Sequence, residues 1–162
     1  MSNIQTTTSP KKTAETLLIY DENEWWDMTA PLFAEQVLKC NPKKCTLKVK
    51  SWEKLVSQLQ QYETIDHLVL YFHGAKGALF IGGVNKQLSE AVRLFKRNGP
   101  RINKQIDFEA CRVAQDPKEL ITFARFFKAP KITAYNYFYV DTILPINVEK
   151  TDNVKSLLYL SS

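Results

Sequence analysis

Two short stretches of the chain carry residue types suited to nucleophilic chemistry. An apolar run, Leu68-Val69-Leu70-Tyr71-Phe72, ends in His73-Gly74, and a second, containing Ile106 and Phe108, ends in Glu109-Ala110-Cys111-Arg112. A free thiol titrates near about 8.5, so little of it is thiolate at neutral pH; an imidazole alongside can take its proton or hold the thiolate. That pair is the least apparatus for attack on a carbonyl. Gly74 would bring its backbone N–H close to the carbonyl with no side chain in the way, and the N–H of Cys111 would be a second donor for the developing oxyanion. The expected strand-to-helix turn at Cys111 would add a positive helix end favouring thiolate. Each residue alone has a plainer reading: Cys111 as a small buried apolar side chain, and His73 as a half-buried ring bonded to a carbonyl. Their shared setting at two strand ends favours the pair.

For the two to meet, both runs must be neighbouring strands of one sheet, because open α/β sheets gather ligands beyond the carboxyl ends of their strands. The rest of the chain supplies such a sheet. Residues 1–14 are Ser/Thr-rich, lack apolar periodicity and read as a flexible tail, leaving residues 15–162 as one domain. Residues 16–20 form a short apolar run that ends at Asp21-Glu22-Asn23, a buried strand. Pro31 is expected in the first turn of a helix over residues 31–39, and residues 45–50 alternate as a half-exposed strand. Ser51 reads as the N-cap of a helix carrying Trp52, Leu55, Val56 and Leu59. Residues 67–72, apolar on both faces, read as a central parallel strand.

Glycines bound a small arm over residues 77–83, followed by a helix at 89–97 and a strand at 105–110. Asp116-Pro117 opens another helix, and residues 131–135, 142–148 and 156–160 read as strands. Strands alternating with helices predict an α/β fold, a three-layer sandwich around a mainly parallel central sheet.

The order of these features resembles the caspase-like (clan CD) cysteine peptidases. Ala110-Cys111-Arg112 is similar to the Ala-Cys-Arg of the caspase signature, and His73-Gly74 to the ending of the preceding core strand. The spacing between His73 and Cys111 is somewhat below the roughly 50 residues of caspases. Residues 68–135 look closer to the bacterial CHAT proteases, through Phe72-His73-Gly74, Gly77-Ala78-Leu79 and Cys111-Arg112-Val113-Ala114. The resemblance implies a caspase-like sandwich in which His73 is the general base, Cys111 the nucleophile, and the Gly74 and Cys111 amides the oxyanion donors. The substrate would be a protein or peptide, and neither metal nor nucleotide cofactor is required. Glu109 and Val113 depart from the caspase pattern, which leaves a second reading open: a caspase-like module that no longer cleaves and instead binds a protein partner. A third reading is a bacterial effector delivered into a host. An apolar patch for a partner is expected at Trp25-Trp26 or residues 135–139.

Composition narrows the alternatives. Of 162 residues, 44% are hydrophobic and 24% charged, which suits a folded core and excludes disorder for most of the chain. No apolar run approaches the roughly 20 residues of a membrane span, and no secretory leader is visible, so a cytoplasmic location is expected. The net charge of +5 comes from Lys and Arg scattered along the chain rather than gathered in a stripe, which argues against nucleic acid as a partner. Three cysteines cannot pair completely, and their odd number suggests a reducing compartment. Cys40 and Cys45 are close enough for half a zinc site, but His67 and His73 fall on or beside a strand and not in a second knuckle, so neither zinc nor catalysis is expected there.

Overall fold

The computed structural model describes residues 9–136 and a strand at Lys155–Tyr159. The chain opens with β1 (Lys12–Asp21), α1 (Trp26–Gln36), the single turn α2 (Pro42–Cys45), β2 (Thr46–Val49) and α3 (Trp52–Leu59). β3 (Tyr62–Tyr71) leads into three short strands, β4 (His73–Ala75), β5 (Ala78–Ile81) and β6 (Val84–Gln87), then α4 (Leu88–Arg93) and β7 (Arg101–Glu109). A 3-10 turn (Val113–Gln115), α5 (Pro117–Phe126), β8 (Lys131–Tyr135) and β9 (Lys155–Tyr159) complete the described elements.

The main sheet has the order β2-β1-β3-β7-β8-β9, parallel throughout except for β9, which runs antiparallel to β8. β3 lies between β1 and β7 and is fully buried from Leu68 to Tyr71, as a strand covered on both faces must be. One face packs on α1 through Trp26, Ala30, Phe33 and Ala34 against Leu18, Tyr20, Val69 and Tyr71. The other carries Leu17, Ile19, Leu68, Leu70 and Phe108 against Leu55, Leu59, Phe95, Leu120 and Phe123 of the region spanning α3 to α5. Two helical layers therefore enclose one sheet. A chain of ring contacts runs through the second layer: Phe108 on Phe123, Phe123 on Phe127, Phe127 on Phe95, with centroids 5.4, 4.8 and 5.2 Å apart. Such aromatic pairs add about 0.5–1.5 kcal/mol each beyond their buried area.

Several boundaries differ from the sequence reading. β1 begins at Lys12, inside the stretch assigned to a tail, because residues 12–20 find partners along β3. The first helix starts at Trp26, which places Pro31 in its interior. Burial decides this: Trp26, Ala30, Phe33 and Ala34 form its inward stripe, whereas Leu32 and Val37 are exposed. Asn41 caps a helical turn at Pro42–Cys45 before β2, so the expected strand is shortened at its start.

The Asn41-Pro42 turn also brings the Cα atoms of Cys40 and Cys45 to 6.3 Å, and the two sulfurs are bonded as a disulfide. That separation is within disulfide range. The odd cysteine count, read as a sign of reduced thiols, did not foresee this pairing. The strand expected at 142–148 and the patch residues 137–139 lie outside the described residues.

Candidate active site

The strands expected to carry His73 and Cys111 are parallel neighbours. β3 pairs with β7 in a register that sets Tyr71 opposite Glu109, and the Phe72 N–H donates to the Glu109 carbonyl at 3.3 Å. His73 and Cys111 each lie two residues beyond this last matched pair, at the same end of the sheet, and the His73 ring contacts Trp26 of α1. Gly74 packs directly on the Cys111 backbone: a Cβ there would stand 2.4 Å from the Cys111 carbonyl oxygen, 2.9 Å from Val113 Cγ2 and 3.0 Å from the Ala110 Cβ. Close approach of two backbones, and not only access to an amide, is what demands glycine here.

The Gly74 N–H is oriented by the second sheet. β4 joins β5 through the two-residue loop Lys76-Gly77, with Ala75 opposite Ala78 and Gly74 opposite Leu79. The loop closes on a hydrogen-bonded Ala75–Ala78 pair, so Gly74 falls in the non-bonded position and its N–H points away from β5. A second two-residue loop, Gly82-Gly83, joins β5 to β6 with φ of +58° and +76°, the pair of positive angles a type I′ turn requires. The arm predicted at residues 77–83 is thus a three-stranded antiparallel sheet, and its tip is fastened to the main sheet. Gly82 donates to Asp21 Oδ2 at 2.7 Å, and a Cβ at Gly82 would stand 2.3 Å from the Lys50 carbonyl oxygen.

His73 is about half-exposed and meets two residues that the sequence reading did not assign to the site. Its Nε2 lies 3.3 Å from Glu24 Oε2, and its ring packs on Trp26 with centroids 5.2 Å apart. Trp26 is buried between His73 and Tyr71, and its indole N–H has no hydrogen-bond partner among the described residues. Glu24 follows β1, and His73 follows β3. The chain leaves β1 toward β2 on one side but leaves β3 toward β7 on the other, and the crevice between them is a topological switch point. A cleft of about 310 Å³ opens here, lined by Asp21, Glu24, His73, Phe80 and Gly83. The same carboxyl-end rule that singled out His73 also applies to β1, and it would have singled out Asp21 and Glu24.

Cys111 is partly exposed, in the turn that follows β7. No long helix follows it directly. Arg112 takes a left-handed conformation, Val113–Gln115 makes one 3-10 turn, and α5 starts only at Pro117, with the Asp116 side chain accepting from the Glu119 N–H at its start. The expected helix-end effect on the thiol is therefore not supplied by α5 in sequence, since such effects fade within one turn. His67, the other histidine, sits in mid-strand and holds Asp107 Oδ2 at 2.6 Å, away from the strand ends. Among the described residues no three His, Cys, Asp or Glu side chains converge as metal ligands. No described helix is long and apolar enough to cross a membrane. No protein-family model matches the chain, and no curated protein does.

Proposed function

We propose that this chain is a caspase-like cysteine peptidase working through Cys111 and His73, with Glu24 holding the imidazole. The observation that carries the reading is the pairing of β3 with β7, which sets His73-Gly74 beside Cys111 at one end of the sheet. With Nε2 turned to the Glu24 carboxylate, an N–H there donates to Oε2, and the lone pair on Nδ1 is left to accept the thiol proton. The thiolate of Cys111 attacks the peptide carbonyl, and the oxyanion that forms is met by the Gly74 and Cys111 N–H groups. Collapse expels the amine, which takes the proton from His73 and leaves an acyl-enzyme thioester. Water, deprotonated by the same imidazole, then hydrolyses the thioester and regenerates the thiol.

The test is a peptide-library digest alongside two variants. Cys111→Ala removes one sulfur at a partly exposed strand end, so its melting temperature should change by no more than about 1 kcal/mol implies. Its cleavage should vanish, and His73→Ala should lose nearly as much. Persistence of every cleavage in folded Cys111→Ala would refute the reading. A second reading, a binding module without turnover, draws on one observation. Trp25, at the cap of α1, and Met28 and Leu32 along it are exposed, with Met28 at 78%, and they are spaced so as to share one side of the helix.

A further inference from the structure

We infer that the cleft beside His73 receives a cationic side chain, so that the peptidase cuts after arginine or lysine. The inference rests on the peptidase reading and adds its substrate class. The cleft adjoins the proposed base, and its volume of about 310 Å³ is at the small end of ligand pockets, suited to one side chain and not to a folded surface. Its lining contains two carboxylates and no Lys or Arg. Asp21 is only 2% exposed and is held in place by three donors: Oδ1 accepts from the Asn23 backbone N–H at 2.9 Å and from its Nδ2 at 3.2 Å, and Oδ2 accepts from Gly82. Those are neutral dipoles, so they fix the carboxylate without cancelling its charge.

Lys48, the nearby strand lysine, is engaged 3.5 Å from Asp27 and not with the cleft carboxylates. Glu24 presents two oxygens, of which Oε2 faces His73. A carboxylate or phosphate entering here would meet like charge, and a purely apolar group would leave a buried acid facing it. A guanidinium or ammonium matches the charge, and its carbon stem has the Phe80 ring to lie against. Gly83 borders open space, since a Cβ there would meet nothing within 4 Å.

The experiment uses the full chain and four peptidyl acyloxymethyl ketones that are identical except for arginine, lysine, leucine or aspartate next to the reactive carbonyl. Labelling of Cys111 is followed by intact-mass spectrometry, with iodoacetamide, which has no side chain to fill the cleft, as the reference. The arginine and lysine probes should react about ten- to hundredfold faster than the leucine probe, the span of one charge-assisted hydrogen bond. In Glu24→Gln all peptidyl rates should fall, and the arginine-to-leucine ratio should fall with them, because the shape is kept and the charge is lost. Equal rates for all four probes, or a preference for leucine or aspartate, would overturn the cationic cleft while leaving the peptidase reading in place. If Cys111 reacts with no probe, and with iodoacetamide no faster than an unfolded thiol, the peptidase reading falls and takes the cleft with it.

Discussion

A Cβ at Gly74 would meet three atoms that cannot easily move aside: a backbone carbonyl oxygen, a valine methyl and an alanine Cβ. Gly74→Ala should therefore destabilise the fold by about 1–3 kcal/mol, the usual cost of overpacking, and thermal unfolding will measure it. A loss well below that range would mean that the strand ends slide apart easily. At this scale the sequence was informative where residue type is distinctive. A histidine, a glycine and a cysteine at the ends of two apolar runs are uncommon enough to suggest a site. Asp21 and Glu24 were passed over because acidic residues after a strand look like a solvated turn. Only the strand order places them opposite His73, across the crevice between β1 and β3.

The helices differ in how plainly they can be read. Ser51 was identifiable as a cap from its position before Trp52, Leu55, Val56 and Leu59. In the structure its hydroxyl accepts from the Lys54 N–H at 3.1 Å, while those four side chains are buried. Ser51→Ala should cost about 1 kcal/mol, seen as an earlier chemical unfolding midpoint with unchanged slope. An unchanged midpoint would show that α3 is held by packing alone. The first helix was harder, because proline usually opens helices, and Pro31 drew the start five residues too far along. The aromatic contacts of Trp26 with Tyr71 and His73 set the true start, and no local pattern encodes contacts with a distant strand. The arm was visible from its glycines, but its third strand was not, since Val84–Gln87 has only one apolar residue.

Across the whole molecule, the alternation of strands and helices was enough to anticipate the layered α/β sandwich, because a two-sided sheet forces buried strands to be apolar. Titration offers a global test of the packing. Burial, first of all, raises the phenol of Tyr20 above its ordinary 10.0, with the Asp27 charge and hydrogen bond adding to it, and burial does the same for Tyr62. A raised folded value means that the unfolded chain loses these protons first. Their stabilisation is complete below about pH 10 and declines as pH climbs toward the folded values. Denaturation midpoints measured from about pH 10 upward should fall, and less steeply in the Tyr20→Phe, Tyr62→Phe double variant; an unaltered slope would mean that other groups control the alkaline limit. The two sheets also differ in how far along the chain their partners lie. The β4-β5-β6 sheet draws on residues 73–87 alone, whereas the main sheet joins β1 to β3 and β3 to β7 across long intervening segments. Local hairpins close in about 1–10 μs, while pairings between distant segments are slower because more chain must be ordered first. Cys111 thus reaches the His73 rim only through the pairing of β7 with β3. A chain in which β7 has not yet paired with β3 holds the Cys111 thiol and the His73 imidazole apart, so their meeting is itself a product of long-range folding.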